Sequence, residues 1–510
     1  MPEPMSRRTL LRTVAGGAAA VATGAAATAT PAHAAGSRVP GAVRELEEKI
    51  KSAMAAYGIP GVSYGLRYRG RDYLGGFGVT DVSAPQAVTG ETAFRIASTT
   101  KPFTGTAVMR LAERGRIDLD APVRRYLPDF RTSDEAASRR VTVRHLLNHS
   151  AGWLGDVFLD TGDGDDALAR YVAAMATVPQ LTAPGTVFSY NNAAFAVAGR
   201  VIEVVTGKSY EQAVRDLILG PLRLSQTAFR TSELPGVRIA SGHDYDGAPG
   251  EVPLPRSINA VGGLYSTARD QLRWARYHLG DGSPLLTRRS LRAMRWRPGP
   301  GGTLFVELDG AGVSWMLRPT AEGPRVVQHG GDWPGHHSGF LFVPERDFAL
   351  TVLTNAESGP LLTAELFSSD WALSRFAGLH NLPARPQVLS PAQLAPYEGR
   401  YVADQIGFGG ERATLAYELA GADGRLILSY EGQNVAVLPF YRKDYALVWG
   451  PDGSDAHSRA DFVRNPDGTV GWLRLGGRLY RRTPSAPTAL RTTSTPPRLL
   501  PVTLPYPAVS

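Results

Sequence analysis

The sequence predicts an α/β fold followed by a small domain of antiparallel strands. Helical periodicity recurs through much of the 510-residue chain, as at residues 43–57, where apolar side chains return every three or four positions. Apolar strands flank tight polar turns at 69–72 and at 344–347, which predicts antiparallel hairpins. After residue 394, short strands and turns replace the helical pattern, and this change predicts a separate β-domain.

The composition is that of a globular protein with two or three domains. Hydrophobic residues make up 43% of the chain and charged residues 20%. There is no cysteine, which excludes disulfides, thiolate catalysis and zinc–cysteine sites. The net charge of +8 is not gathered into basic clusters interleaved with aromatic residues, so we expect no nucleic-acid partner. The aspartate and histidine groups lack metal-ligand spacing, so we expect no metal and no other cofactor.

Residues 1–34 predict a twin-arginine-type signal peptide. Arg7 and Arg8 precede an uncharged run of Ala, Gly and Thr, and a small-x-small pattern at 32–34 predicts a mature start at Ala35. The run lacks the Leu, Ile and Val content of a membrane-spanning helix, and no later segment has that content. We therefore expect export to the cell envelope or the medium, with no stable membrane insertion.

A serine and a lysine lie three residues apart at the start of a predicted helix. Positions i and i+3 share a helix face, so the hydroxyl of Ser98 and the amine of Lys101 can meet in one pocket. A serine becomes a nucleophile when a neighbouring base takes its proton. A lysine is such a base when burial or nearby cations lower its pKa. An isolated S-x-x-K pattern also arises by chance, so its interpretation depends on the rest of the chain.

A second polar stretch lies in a loop that enters a predicted helix. It contains Tyr190 and Asn192, and apolar residues with a period of 3.6 follow it. A tyrosine near a lysine can be held partly ionised and can act as base or acid. An asparagine can donate to a substrate carbonyl group and accept from an ammonium group. The alternative is that Asn192 only caps the helix and Tyr190 only packs.

A third stretch, His329, Gly330 and Gly331, ends a predicted strand that begins at residue 326. Further strands are predicted at 338–343 and 348–355. Two glycines let a substrate approach the edge of the strand closely. Such an edge can bind an extended, peptide-like substrate, and its N–H groups can stabilise an oxyanion.

Two further residues are candidates that we set aside. For His149 we expect a structural role, because no carboxylate lies at an obvious orienting distance in the sequence. Ser63 fits the G-x-S-x-G pattern of α/β-hydrolases, but it lies in the first strand of a predicted hairpin and no helix follows it. An α/β-hydrolase site at Ser63 is therefore disfavoured.

Taken in this order, the three stretches resemble the serine β-lactamase and penicillin-binding protein superfamily. The branch they resemble is the class C-like one, with class C β-lactamases, D-alanyl-D-alanine carboxypeptidases, D-aminopeptidases and esterases. The S-x-x-K, Y-x-N and K-T-G-type signatures of that superfamily correspond here to Ser98/Lys101, Tyr190/Asn192 and 329–331. The connecting stretches 146–152 and 262–270 match as well, and the resemblance covers roughly residues 40–380.

The resemblance implies a β-lactamase/transpeptidase-like fold, with an antiparallel sheet flanked by helices and a cleft beside the sheet. It also implies an acyl-enzyme on Ser98. Lys101 would accept or relay the serine proton. Tyr190 would protonate the leaving group and later help to activate water.

Substrate binding follows from the same resemblance. Asn192 would orient the substrate amide, and Gly330 and Gly331 would line the strand edge. His329 would bind a substrate carboxylate or tune Tyr190; both roles stay open. The backbone N–H groups of Ser98 and Asp332 would form the oxyanion hole.

The third signature departs from the superfamily pattern, because histidine replaces lysine and glycine replaces threonine. A neutral imidazole attracts a carboxylate less than an ammonium group does, so a peptidase or esterase is at least as well supported as a β-lactamase. We therefore expect an exported serine hydrolase that acts on D-amino-acid peptides, β-lactams or esters. The partner would be a small molecule or a short peptide, cell-wall peptides included. The alternative is a penicillin-recognising sensor that acylates but turns over slowly. The oligomeric state stays open.

The sequence predicts the following domain boundaries. The hydrolase domain covers 35–382, and a Pro-rich linker covers 383–393. Residues 394–482 predict about eight short strands, which suggests a small closed barrel. The Tyr-x-Gly-x-Tyr-like opening resembles the lipocalin-like domain appended to some members of the superfamily. This domain carries no evident catalytic set; it would either shape the cleft or bind a partner. Residues 483–510, rich in Pro and Thr, predict a disordered tail.

Overall fold

A computed structural model describes residues 40–483. The predicted signal peptide lies outside the described residues, and so does the predicted tail except for Thr483, which ends the last strand. The described residues from Ala42 onward belong to one compact unit. Within 40–483, no helix has the length and apolar character that a membrane crossing requires.

The chain forms helices and strands in the order expected for an α/β domain followed by a β-domain. The α-helices are α1 Gly41–Tyr57, α2 Lys101–Glu113, α3 Glu135–Arg140, α4 Val143–Leu147, α5 Ala167–Ala174, α6 Asn192–Thr206, α7 Tyr210–Val214, α8 Gly220–Leu222, α9 Asn259–Gly262, α10 Ala268–Leu279, α11 Arg288–Trp296, α12 Gly359–Thr363, α13 Trp371–Ala377 and α14 Pro391–Leu394. The strands of the first domain are β1 Gly61–Tyr68, β2 Arg71–Gly78, β3 Ala93–Arg95, β4 Tyr265–Thr267, β5 Gly302–Leu304, β6 Val306–Leu308, β7 Gly310–Ala311, β8 Met316–Arg318, β9 Val326–Trp333, β10 His336–Val343 and β11 Phe348–Thr354. The strands of the second are β12 Gly399–Ile406, β13 Arg412–Ala422, β14 Arg425–Tyr430, β15 Gln433–Leu438, β16 Phe440–Arg442, β17 Tyr445–Trp449, β18 Asp455–Arg464, β19 Val470–Leu475 and β20 Arg478–Thr483.

A seven-stranded antiparallel sheet organises the first domain, with strand order β2-β1-β11-β10-β9-β8-β7. The expected hairpins are present: β1 pairs with β2, and β10 with β11. Alternate residues of each strand face opposite sides of the sheet, so both faces need cover. On one face Leu46 and Ile50 of α1 pack with Leu341 and Leu350 of the sheet. Each such side chain contributes about 1.5–3 kcal/mol by burial.

The opposite face of the sheet packs against the helical part of the domain. Phe340 and Phe342 of β10 share a core with α2, α6 and α10. Helix α2 is buried along most of its length, and the ring of Phe103 stacks on Trp274 at 4.2 Å between centroids. The first turn of α2 is therefore held rigidly against the sheet. An antiparallel sheet between helices confirms the fold class that the sequence predicts.

The second domain is a closed antiparallel barrel of eight strands, as expected. Strands β12–β15 and β17–β20 form it, and the pair Val437 with Trp449 closes it through β15 and β17. The short β16 pairs with the outer edge of β17. The barrel interior is filled by side chains that include Tyr401, Tyr417 and Leu428. Small barrels of eight strands are commonly filled in this way. The lipocalin-like character of the domain stays a prediction.

The barrel packs directly on the first domain. The backbone of Phe158 donates to the carbonyl oxygen of Ile406 at 2.8 Å, and Phe305 forms a bridge with Arg459 of β18. Glu307 accepts from Tyr441 at 2.9 Å and from Arg442 at 2.7 Å. Backbone and charged contacts therefore attach the barrel beside β5, β6 and the loop that follows α4.

Candidate active site

Ser98 lies in a single 3₁₀ turn, Ala97–Thr100, that leads directly into α2. Ala97 has φ of +45°, which is uncommon for a residue with a Cβ atom and marks local strain. The hydroxyls of Thr99 and Ser338 are 2.8 Å apart, and this contact holds the turn against β10. The half-buried Ser98 therefore faces the cleft from a rigid turn.

Lys101 lies three residues after Ser98, at the start of α2, and is buried. Its Nζ atom lies 2.8 Å from Ser98 Oγ and donates to the carbonyl oxygen of Val261 at 3.1 Å. The side chain is fully buried. This burial lowers the pKa of Lys101 well below its usual value, and the nearby Arg478 cation lowers it further. A neutral amine at this position has a lone pair that can take the serine proton.

Tyr190 completes the group around the nucleophile. Its hydroxyl is hydrogen-bonded to Ser98, and Lys101 Nζ lies 5.1 Å from the centroid of its ring. Burial raises the pKa of Tyr190, although Arg478 and the hydrogen bond with Ser98 act in the opposite direction. The phenol is therefore protonated at neutral pH rather than partly ionised, and Lys101, whose pKa is lowered, is the better base.

His149 supports the loop of Tyr190. The two rings stack with centroids 4.5 Å apart, and His149 Nδ1 accepts a hydrogen bond from the backbone of Asn191 at 2.8 Å. Burial holds the pKa of His149 well below its usual value, so the ring is neutral. This packing agrees with the structural role expected for it. The other residue set aside, Ser63, lies inside β1 and donates to the carbonyl oxygen of Thr89 at 3.0 Å, away from the group around Ser98.

Asn192 does not cap α6, since its neighbour Asn191 does so by accepting from the backbone of Ala194 at 2.9 Å. Asn192 instead donates through Nδ2 to Asp156 at 2.6 Å. Its Oδ1 atom has no hydrogen-bond partner among the described residues, although the residue lines the cleft. The amide is thus oriented by a carboxylate, with an acceptor left over for a substrate N–H group.

The strand β9 passes beside the turn of Ser98. Strand β8 pairs only with residues 326–328 of β9. Among residues 40–483, the later residues of β9 therefore have no strand neighbour on the cleft side. A Cβ atom on Gly331 would overlap the carbonyl oxygen of Ile96 and lie 2.9 Å from the Ser98 nitrogen. The sequence needs glycine at 331 because two backbones meet there. At Gly330, by contrast, a Cβ atom would make only an ordinary contact, 3.5 Å from the carbonyl oxygen of Ser338.

His329 is buried on β9 and faces Tyr190, with ring centroids 6.2 Å apart. Burial lowers the pKa of His329 to about 3. A neutral His329 cannot attract a carboxylate by charge, which favours the second of its two expected roles, next to Tyr190.

Asp332 follows on the same strand and lies opposite His337 of β10. Their side chains form a hydrogen bond at 2.8 Å. Desolvation by the surrounding cleft acts to raise the pKa of the solvent-accessible Asp332, but the hydrogen bond from His337 overcomes this and holds it below its usual value. The neighbouring His336 contacts Glu251 instead, at 3.2 Å. The two adjacent imidazoles thus contact separate carboxylates.

Two charged residues of the site are absent from the sequence prediction. Asp156 lies in the loop after α4, and Arg478 begins β20 of the barrel; the Nε atom of Arg478 lies 3.1 Å from a carboxylate oxygen of Asp156. The Arg478 guanidinium also lies 4.6 Å from the ring centroid of Tyr190. The pair of glycines at 476–477 between two strands predicts a hairpin tip, but nothing in the sequence indicates that this tip reaches another domain.

The cleft in front of Ser98 has a volume of about 560 Å³. One wall carries the residues of the first domain, and the barrel forms much of the other. The apolar lining comes from both domains: Phe158, Trp333, Phe340, Phe367, Val435, Val448 and Leu475. Such a lining suits a substrate with apolar groups.

An antiparallel sheet between helices, with serine, buried lysine and tyrosine in mutual contact at its edge, defines a serine hydrolase-type protein of the S-x-x-K class. The chain belongs to the Beta-lactamase family, whose profile matches residues 46–365. This confirms the resemblance drawn from the motifs.

Known relatives agree with this assignment. The chain is 33% identical over 369 residues to penicillin-binding protein 4 of Amycolatopsis lactamdurans, which covers 70% of this chain and 96% of that one. It is 32% identical over 353 residues to esterase EstB of Burkholderia gladioli, with 56% and 84% covered. The crystal structure of SurE with D-Leu superposes with a TM-score of 0.66 at 26% identity, covering 87% of this chain and 99% of that one. The residues before the first barrel strand, 1–398, make up less than 87% of the chain, so this similarity extends into the barrel.

Proposed function

We propose that this protein is an exported serine acyl hydrolase that forms an acyl-enzyme on Ser98. The observation that carries the proposal is the 2.8 Å distance between Lys101 Nζ and Ser98 Oγ, with the amine fully buried. A buried amine next to a hydroxyl is the arrangement that makes a serine nucleophilic.

The proposed reaction proceeds in two halves. Ser98 Oγ attacks the substrate carbonyl carbon while its proton moves to Lys101. The bond to the leaving group then breaks, and the protonated Tyr190 donates its proton to the departing nitrogen or oxygen; Lys101 returns a proton to the phenolate. Water enters and releases the acid by the same steps in reverse.

The developing oxyanion would be bound by the backbone N–H groups of Ser98 and Asp332. The close passage of β9 beside the Ser98 turn supports this pairing. Removing one such donor typically lowers the rate by about 10²–10³-fold.

We propose D-amino-acid peptides, β-lactams or esters with apolar groups as substrates. The apolar lining of the cleft supports apolar acyl or side-chain groups. A relative named as a penicillin-binding protein, another named as an esterase and a similar structure determined with D-Leu support the three classes. Asn192 would accept from the substrate amide through its unpaired Oδ1 atom.

Export is a separate part of the proposal and rests on residues 1–34. Expression of the full-length chain in a host with a twin-arginine pathway would give a secreted product that begins at Ala35. Replacement of Arg7 and Arg8 by lysine would keep the product in the cells. Secretion of this variant at the level of the unchanged chain would count against the twin-arginine route.

The nucleophile is tested by intact-mass measurement after exposure to a fluorescent penicillin and to p-nitrophenyl butyrate. The unchanged protein should gain the mass of the acyl group, and Ser98→Ala should gain none and lose ester turnover. Ser63→Ala is the matched control, because this buried hydroxyl only donates to Thr89, and it should react normally. Ester turnover that survives in Ser98→Ala would reject the assignment.

The same measurement separates the hydrolase from the slow sensor. A penicillin adduct that disappears over minutes, with product released, supports turnover, whereas an adduct that persists without product favours the sensor. Lys101→Met should abolish adduct formation, since it removes the base. Unchanged labelling kinetics in that variant would remove Lys101 from proton transfer.

A further inference from the structure

The tip of the barrel hairpin β19–β20 lies against the candidate active site. Gly476 and Gly477 form the turn with φ of +55° and +77°. Arg478 follows, only 18% exposed, and donates to the carbonyl oxygen of Gly476 at 2.9 Å as well as to Asp156. The guanidinium is thereby fixed over the ring of Tyr190, 4.6 Å from its centroid.

The charges that face Lys101 and Tyr190 come from three parts of the fold. Arg478 of the barrel is a cation, whereas Asp156 of the loop after α4 and Asp332 of β9 are anions. The imidazoles of His149 and His329 complete the surroundings, and burial keeps both neutral. The barrel therefore supplies a cation and the first domain supplies the anions.

Resting on the proposed function, we propose that Arg478 is a positioning residue through which the barrel acts in catalysis. Its guanidinium and the Lys101 amine lie 4.6 and 5.1 Å from the centroid of the Tyr190 ring, so Arg478 holds that ring in place and opposes protonation of the amine next to Ser98. Asp156 has the complementary part: it orients Arg478 and Asn192 and limits the effect of the cation.

The direction of the electrostatic effect follows from the sign of each charge. A cation near an amine destabilises its protonated form and lowers its pKa, and a nearby anion raises it. Loss of the Arg478 charge should therefore raise the pKa of Lys101, so that the amine stays protonated up to a higher pH. Loss of the Asp156 charge should lower it.

The test is the pH dependence of kcat/KM for p-nitrophenyl butyrate between pH 4 and 9. In Arg478→Gln we expect the acidic limb to move to higher pH by up to about one unit, because the Arg478 guanidinium and the Lys101 amine lie 4.6 and 5.1 Å from the centroid of the same Tyr190 ring. In Asp156→Asn it should move to lower pH. In the double variant the acidic limb should return toward its position in the unchanged protein. In Arg478→Lys, which keeps the positive charge, the limb should stay close to that position.

Arg400→Gln is the matched control, since its guanidinium lies on the barrel surface, 50% exposed and 3.7 Å from Glu418. Its profile should coincide with that of the unchanged protein. An unshifted limb in Arg478→Gln, with turnover still dependent on Ser98, would overturn this inference and leave the proposed function intact. A shift in the same direction in both single variants would also overturn it, because opposite charges require opposite shifts. If the turnover of the unchanged protein is independent of Ser98, the proposed function itself fails.

Discussion

The backbone amide of Tyr190 donates a hydrogen bond to the carbonyl oxygen of Gly477, 2.8 Å away, although the two residues belong to different domains. A candidate catalytic side chain of the first domain is thus held by the hairpin tip of the barrel. Because Arg478 follows immediately, the same turn sets both the position of the phenol and the charge above it. Of the two roles left open for the barrel, this contact supports shaping of the cleft.

Replacing Gly477 by alanine should lower the acylation rate strongly while reducing the free energy of unfolding only modestly. At φ of +77° an alanine is strained by roughly 1–2 kcal/mol. The new Cβ atom would also lie 3.3 Å from Tyr190 Cβ, closer than an ordinary contact, so the turn or Tyr190 must move by a few tenths of an ångström, whereas Leu304 Cδ1, at 2.7 Å, can swing aside. We expect an acylation rate at least about tenfold lower, measured with the fluorescent penicillin, since a small misplacement of a catalytic group can lower rates about 10²-fold.

The control for Gly477→Ala is Gly468→Ala in the preceding hairpin. Gly468 has φ of +85°, and a Cβ atom there would meet nothing within 4 Å. This variant should show the same loss of stability in urea with an unchanged acylation rate. Equal losses of rate in the two variants would mean that backbone strain alone, rather than contact with Tyr190, explains the effect.

Local patterns predicted much of the fold and of the site. The helix at 43–57, the hairpin turns and the barrel strands follow from periodicity and turn residues, which act over a few positions. The S-x-x-K spacing brought Lys101 and Ser98 together because residues three apart share a helix face; the 2.8 Å between Nζ and Oγ depends also on how the two side chains are packed.

Contacts between distant segments were not predictable in this way. Asp156 and Arg478 lie 322 positions apart and meet because the barrel docks beside the loop that follows α4. The protonation states were missed for a related reason, since the pKa of Tyr190 is set mainly by burial, which the sequence does not show. The capping role went to Asn191 rather than Asn192 because α6 begins at Asn192, whose amide donates to Asp156 instead.

Gly331→Ala should nearly abolish acylation. A Cβ atom at this position would overlap the carbonyl oxygen of Ile96, so β9 must move away from the Ser98 turn. The proposed oxyanion hole would open, with an expected loss of about 10²–10³-fold in rate. The measurement is the rate of penicillin labelling, together with the melting temperature.

Gly330→Ala provides the comparison for folding at the adjacent position. Its Cβ atom would approach only the carbonyl oxygen of Ser338, at an ordinary 3.5 Å, so the melting temperature should not change. Because this glycine lines the proposed substrate edge, an increase in KM is expected. A melting temperature that falls equally in both variants would contradict the close packing assigned to Gly331.

The stability of the protein should fall above neutral pH because of His337. The carboxylates of Asp332 and Glu357 overcome the effect of burial and raise the pKa of His337 to about 9. A folded-state pKa above the unfolded value of 6.5 gives stabilisation that is complete below pH 6.5 and is lost as the pH rises through 9. After allowance for solvent screening at the exposed Asp332, we expect about 2 kcal/mol.

Urea unfolding at pH 6 and at pH 9.5 measures this effect. His337→Gln should be less stable than the unchanged protein at pH 6, and the difference should shrink at pH 9.5. His380→Gln serves as the control, because that imidazole pairs with Glu322 at the surface with 53% of its side chain exposed, and its loss should change little. A constant difference between His337→Gln and the unchanged protein at the two pH values would contradict a protonated His337.

Glu307→Ala should weaken the attachment of the barrel to the first domain, and ester turnover should fall as a result. The Glu307 carboxylate is 10% exposed and accepts from Tyr441, Arg442 and Arg459, so its removal leaves the equally buried Arg459 without this partner. Breaking a buried pair in this way costs about 3 kcal/mol or more. Glu418→Ala is the control: it removes only an exposed contact at 3.7 Å and should cost less than about 1 kcal/mol.

Limited proteolysis at 383–390, followed alongside ester turnover, measures both effects. In Glu307→Ala, cleavage should accelerate and turnover should fall, because the detached hairpin no longer holds Tyr190. Rapid cleavage with full turnover would show that the first domain works without the barrel.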